Sequence, residues 1–243
     1  MITPLPRYLD AGETALVVEF GSTVDETTND RVLALDAALG RKPVTGIIER
    51  VPTYRSLMVH YDPLLLSRAR LIDRIDGALS EPVALEPVLR RRWHLPACYD
   101  ASFADDLDHV AATVDLPQSE VIRLHSQAEY RVFMYGFAPG FAYLGGLPAA
   151  LTLPRRVSPR DRIPAGSLIV AGGQALVTTV AMPSGWHILG RTPERLFAPD
   201  RDPAFPVAVG DVITFDPIDR ATFEVLSVRA SSGELVARVE PLS

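Results

Sequence analysis

The residues most suggestive of chemistry lie in the stretch Tyr135-Gly136-Phe137-Ala138-Pro139-Gly140-Phe141-Ala142-Tyr143-Leu144-Gly145-Gly146-Leu147-Pro148, where four aromatics interleave with four glycines and two prolines. Such a composition suits neither a regular helix nor a regular strand. It holds the backbone in tight or positive-φ geometry, and loops constrained in this way often line a site. It reads equally well as a structural corner plugged by Phe and Tyr. Residues 154–167 follow with four arginines in an otherwise acidic chain. Guanidinium forks bind carboxylates and phosphates in bidentate fashion, which makes Arg156 and Arg160 candidates for an anionic substrate or nucleotide, although solvated loop arginines are the commoner case.

Ala171-Gly172-Gly173-Gln174 directly follows a strand-like run. Paired glycines leave amide donors open to an oxyanion, and Gln174 adds an amide that both donates and accepts. The pattern lacks the Gly-Lys-Ser/Thr of a phosphate-binding loop and the helix-opening Gly-x-Gly-x-x-Gly of dinucleotide sites. In Ser184-Gly185-Trp186-His187-Ile188-Leu189-Gly190-Arg191-Thr192-Pro193, Arg191 sits in a Gly/Pro-bounded turn that fixes its guanidinium; a β-turn with Trp186 in the core is the plainer alternative. His125, followed by Ser126 at the end of a helical run, is as readily a core or capping residue as a functional one. No Gly-x-Ser-x-Gly elbow accompanies it. The remaining histidines, His60, His94, His109 and His187, have no Cys or His neighbours at ligand spacing, so no metal site is expected. Arg90-Arg91-Arg92 beside Trp93 reads as a solvated strand face rather than a nucleic-acid patch.

These segments must be positioned by a chain of 243 residues, enough for one or two folded units, with 47% hydrophobic and 22% charged residues. The formal charge of −6 opposes any large sequence-independent attraction to nucleic acid or an anionic membrane. The one cysteine, Cys98, is expected to be structural, and it fits a reducing compartment. No window approaches the ~20 apolar residues of a membrane span and no leader pattern opens the sequence, which makes the cytoplasm the expected location.

The first third alternates strands and helices. Residues 8–20 predict a hairpin around Ala11-Gly12-Glu13, and Ser22 predicts a helix cap before Val32, Leu35 and Leu39 at helical spacing, ended by Gly40. Extended runs at 44–51 and 56–61 predict a second hairpin about Pro52-Thr53-Tyr54-Arg55. Ser67 caps a helix bearing Ile72, Ile75 and Leu79, and residues 88–95 return as a strand. This order predicts a split βαβ, ferredoxin-like layer. Beyond it, two short helices are expected at 105–114 and 118–127. Strands follow at 167–171, 175–180, 212–215 and 223–228 among Gly- and Pro-rich turns, which suggests closed or folded-over β-structure. The boundary is placed near 85–89, giving domains 1–86 and 87–243.

Taken in order, Leu124-His125-Ser126, the aromatic loop 135–147, Pro164-Ala165-Gly166-Ser167, Ala171-Gly172-Gly173-Gln174, Gly190-Arg191-Thr192-Pro193 and Gly210-Asp211 resemble the successive signatures of the 5-oxoprolinase B-subunit family. That family is also labelled allophanate hydrolase subunit 1 and includes the sporulation kinase A inhibitor. The resemblance implies an α+β chain whose ferredoxin-like layer precedes a cyclophilin-like β-barrel. It implies partners, subunits C and A, with which the chain opens the lactam of 5-oxoproline to glutamate using ATP and Mg²⁺. Phosphorylating the lactam oxygen would supply the leaving group that an unactivated amide lacks. On this resemblance the contact candidates are His125, Arg156, Arg160, Gly172, Gly173, Gln174 and Arg191, with no catalytic role assigned and no tightly bound cofactor expected. The chain departs from the family pattern at 101–107, 176–179 and 182–185. Two further readings stay open: a histidine-kinase inhibitor acting by protein binding, and a carboxyltransferase-related component of a urea carboxylase or allophanate system.

Overall fold

The computed structural model describes residues 6–80 and 90–242. The chain divides into two compact units, Met1–Val88 and Leu89–Ser243; the junction expected at 85–89 lies outside the described residues.

In the first unit, β1 (Arg7–Asp10) and β2 (Ala15–Glu19) form the hairpin. α1 (Glu26–Arg41), β3 (Ile47–Pro52), β4 (Ser56–Tyr61) and α2 (Arg68–Ser80) follow. The sheet order is β1-β2-β4-β3, antiparallel throughout. In β4 buried and part-buried residues alternate, so Leu57 and Val59 face the same core as Leu16 and Val18 of β2. Val32, Leu35, Leu71 and Ile75 from the helices close over that core. Asp25, rather than Ser22, caps α1: in extended conformation, its carboxylate accepts from the Thr28 amide at 2.8 Å. The helix also runs one residue past Gly40, to Arg41.

The strand expected at 88–95 is corrected in position and in partnership. β5 (Arg91–Cys98) buries Trp93, Leu95 and Ala97 in the core of the second unit. The sheet edge beside β2 is taken instead by β1, with Tyr8 opposite Val18. A hairpin turned at Gly12, φ +72°, reaches that edge with little loop closure, whereas β5 finds its apolar partners in the second unit.

The second unit continues with α3 (Leu107–Thr113), α4 (Gln118–Gln127), β6 (Tyr130–Tyr135), β7 (Ala142–Gly145), β8 (Arg160–Ile163), β9 (Ser167–Ala171) and β10 (Gln174–Val177). It ends with β11 (Met182–Ser184), β12 (His187–Arg191), β13 (Val212–Ile218), α5 (Arg220–Ser231) and β14 (Arg238–Pro241). Strands run in the order β12-β9-β10-β7-β6-β13-β5, and β5 pairs back to β12 at Cys98 and Arg191, closing a seven-stranded barrel. β14 adds to β5 farther along the same strand.

β9 is buried along its whole length because both of its faces are covered. Leu168 and Val170 join the main core with Leu95, Val132 and Phe215, over which Val110 of α3 and Val121 of α4 also pack. Ile169 and Ala171 point the other way, into a second cluster with Phe141, Ile163, Met182 and Trp186 beneath the β8–β11 ribbon.

Residues 223–228 are not a strand. They form the middle of α5, whose Asp219 accepts from the Thr222 amide at 2.8 Å as N-cap while Phe223 and Ala230, two turns apart, face inward.

Candidate functional site

The structure first sorts the predicted arginines. Asp106, only 2% exposed, receives Arg160 through both terminal nitrogens at 2.7 and 2.9 Å, a terminal nitrogen of Arg156, and the Ile188 amide at 2.8 Å. Burial alone would raise the Asp106 pKa. The hydrogen bonds from Arg160 and Ile188 and the charges of Arg160 and Arg156 outweigh it and hold the group below its usual value. Arg156 and Arg160 therefore tie the start of α3 to β8 and the segment before it, the Ile188 amide ties it to β12, and both guanidiniums are engaged by a carboxylate.

His125 is fully buried, stacked on Phe215 and 2.8 Å from the Tyr99 hydroxyl through Nδ1, with no partner at Nε2. Desolvation lowers its pKa to about 3, so it is neutral in the folded chain and built as a core residue. Gly172 and Gly173 make the β9–β10 turn at φ +57° and +78°. The Gly172 amide is spent on the Leu153 carbonyl at 2.8 Å, and Gln174 pairs with Ala171 across the hairpin. Cys98 is buried in β5, and burial raises its thiol pKa, as suits a structural residue. Arg91 and Arg92 meet Asp211 and Glu129 at 3.0 and 2.6 Å.

The aromatic loop splits between core and surface. Phe141 is buried, while Phe137 is 75% exposed and held at φ +69°, a conformation that costs a residue with a Cβ energy. Gly140, φ +70°, is required by packing: a Cβ there would come within 2.8 Å of Phe197 Cβ and 3.0 Å of the Leu196 carbonyl. Thr179 donates to the Pro139 carbonyl at 2.6 Å and ties the loop down. Phe137, Phe141, Tyr143 and Trp186 wall a cavity of about 150 Å³, with the Arg155 guanidinium 5.7 Å above the Trp186 ring.

Arg191 lines a larger cavity of about 370 Å³. It stands at the end of β12, where its Nε donates to the Ala165 carbonyl at 2.9 Å. Its guanidinium lies 6.0 Å from the Phe103 ring and 5.9 Å from that of Phe223. Gly166, φ +80°, forms part of the wall at a point where a Cβ would fall 2.4 Å from the Thr192 carbonyl. Burial lowers the pKa of Arg191. The neighbouring charges are already matched. Glu194 accepts from Arg201 at 2.9 Å and from the amides of Arg195, Val236 and Ala237, and Arg195 pairs with Asp200 at 2.6 Å. Among the described residues, the terminal nitrogens of Arg191 meet no acceptor.

Residues 6–207 match the family model "Carboxyltransferase domain, subdomain C and D". The 5-oxoprolinase B subunit of Bacillus subtilis (strain 168) is 37% identical over 84% of this chain and 89% of its own length. The chain belongs to the 5-oxoprolinase B-subunit family. The solved structure of TTHA0988 superposes with a TM-score of 0.76 at 36% identity over 84% of this chain, which spans 40% of that longer one. Kluyveromyces lactis urea carboxylase, at 19% identity, shares the fold over 98% of this chain and 24% of its own, with a TM-score of 0.77.

Within this family member, then, the predicted residues do not gather into one site. Arg156 and Arg160 converge on a carboxylate, His125 lies in the core, Gly172 and Gly173 turn a hairpin, and Arg191 faces a cavity. Asp106, Phe103 and Ser227 were missed by sequence reasoning. The first two fall in the departing segment 101–107, and Ser227 lies on the helix mistaken for a strand. The Asp219–Thr222 cap spacing was the available signal for that helix.

Proposed function

We propose that this chain is the B subunit of an ATP-dependent 5-oxoprolinase, opening the lactam of 5-oxoproline to L-glutamate together with subunits A and C. The observation that carries this reading is the 37% identity to the Bacillus subtilis 5-oxoprolinase B subunit along most of both chains. In the same reading the barrel is cyclophilin-like, the first unit is a ferredoxin-like layer, and the complex works in the cytoplasm. No helix among the described residues is long and apolar enough to cross a membrane.

ATP enters such a reaction with Mg²⁺, a hard cation that takes oxygen ligands. Among the described residues no group of three His, Cys, Asp or Glu could hold a metal ion. The arginines best placed by sequence for a phosphate, Arg156 and Arg160, are both engaged by Asp106. With those two arginines engaged, we assign the nucleotide step to a partner subunit and this chain to positioning.

The test is reconstitution. The purified chain alone is expected to show no turnover of 5-oxoproline, and adding subunits A and C with ATP and Mg²⁺ is expected to produce it. Robust ATP-dependent turnover by this chain alone would overturn the subunit reading.

A further inference from the structure

We propose that the Arg191 cavity is a receptor for the carboxylate of a small organic acid, which on the subunit reading above is the carboxylate of 5-oxoproline itself. Arg191 is part-buried, and its terminal nitrogens, which have no acceptor among the described residues, are open to a ligand at the cavity. The side chain is nonetheless held in place. Its Nε is anchored on the Ala165 carbonyl, and the Phe103 and Phe223 rings, packed on each other at 4.4 Å, support it from one side. A cation fixed in this way, with both terminal nitrogens open, presents the fork that binds a carboxylate in bidentate fashion.

The surroundings set the ligand's charge and size. Glu194 is spent on Arg201 and three backbone amides, and Arg195 on Asp200, so the cavity carries one uncompensated positive charge. One guanidinium matches a monoanion; a nucleotide triphosphate brings several negative charges that nothing here balances. The volume of about 370 Å³ has room for a small ring acid beside the arginine. Of the hydroxyls in the lining, those of Thr178, Thr179 and Ser231 donate to the carbonyls of Pro164, Pro139 and Val228, which leaves two. The Ser227 hydroxyl makes no hydrogen bond to a described residue. Thr192 accepts from the Glu194 amide at 3.1 Å and keeps its own proton to donate. They can serve the polar lactam edge of such an acid while Phe223 and Leu196 cover its methylenes.

Arg155 offers a contrast at the aromatic cavity. It is exposed above Trp186 in a space of about 150 Å³, where solvent screens its charge.

The experiment titrates the isotope-labelled full chain while following the Arg191 Nε–Hε resonance, and in parallel measures KM in the reconstituted complex. 5-Oxoproline is expected to shift that resonance saturably. 2-Pyrrolidinone, the same lactam without a carboxylate, is expected to leave it in place. In the complex, Arg191→Ala is expected to raise KM roughly ten- to hundredfold with the melting temperature kept. Arg191→Lys, which preserves charge but not the fork, should recover only part of the loss. An unchanged KM in Arg191→Ala, or equal shifts with both lactams, would overturn the receptor while leaving the subunit reading intact. If the wild-type complex does not turn over 5-oxoproline, the subunit reading falls, and the titration alone decides the receptor: a saturable carboxylate-dependent shift upholds it, and its absence rejects it.

Discussion

Asp106 and His125 are both buried titratable groups whose pKa values are lowered by folding, yet they act in different pH windows. His125, with a folded value of about 3, is neutral in the native chain, whereas the unfolded chain protonates it below about 6.5. The unfolded state then binds the extra proton, so stability is full above about pH 6.5 and falls by up to about 1.4 kcal/mol per unit below it. His125→Gln should flatten the fall in melting temperature between about pH 6.5 and 4. An unchanged slope would mean that His125 is not the group responsible. Asp106 contributes fully above its unfolded value near about 3.9, and its bridge is lost only as pH drops through the lower folded value. At neutral pH, Asp106→Asn leaves two part-exposed guanidiniums without their counter-charge, which should cost roughly 2–4 kcal/mol in denaturant unfolding. That deficit should shrink in acid. The sequence showed Arg156 and Arg160 as cations but not their sink, because ion pairing across 50 residues is a property of packing rather than of spacing. Arg191 was legible as an arginine in a Gly/Pro-bounded turn, but two of its neighbours, Phe103 beside its guanidinium and Ser227 in the cavity lining, came from segments read as departures or as strand.

Among the elements, local patterns were legible wherever chemistry and packing agree. β9 and α4 fall on their expected residues because an apolar run bounded by glycines and a Pro-opened amphipathic run each have one good solution. α5 was missed because Val225 and Val228 point to solvent, at 61% and 70% exposure, and blur the helical period with β-formers. β5 was legible as a strand but not as a barrel strand, since its parallel partner β13 pairs Trp93 with Ile213, far along the chain. The closure itself rests on a glycine. A Cβ at Gly190 would lie 2.6 Å from the Cys98 carbonyl, at the place where β12 meets β5. Gly190→Ala should therefore cost about 1–3 kcal/mol through forced separation of these strands. Gly77, inside α2 with nothing within 4 Å of where a Cβ would sit, gives the opposite sign: Gly77→Ala should stabilise by roughly 0.5–1 kcal/mol. Thermal melts of the two variants check both signs, and equal shifts would remove the steric account of Gly190.

At the scale of the whole molecule, the described hydrophobic clusters separate cleanly by unit. Leu16, Leu35, Leu57, Leu71 and Ile75 belong to one cluster drawn wholly from the first unit, while both barrel clusters are drawn wholly from residues after 90. Burial is roughly additive in apolar area, so a unit that contains its own cluster carries its own driving force for folding. The barrel also closes without any strand of the first unit, since its sheet is complete from β5 to β14. A chain of residues 90–243 is therefore expected to fold alone, with a single cooperative melt and an unchanged Arg191 Nε–Hε resonance. Residues 1–88 should give a separate, smaller transition, because a unit of that size buries a lower fraction of its surface. Limited proteolysis of the intact chain should release these two pieces first. If the first stable fragments instead break between 131 and 215, or if the isolated barrel piece lacks a cooperative melt, the units depend on each other and Arg191 must be studied only in the full chain.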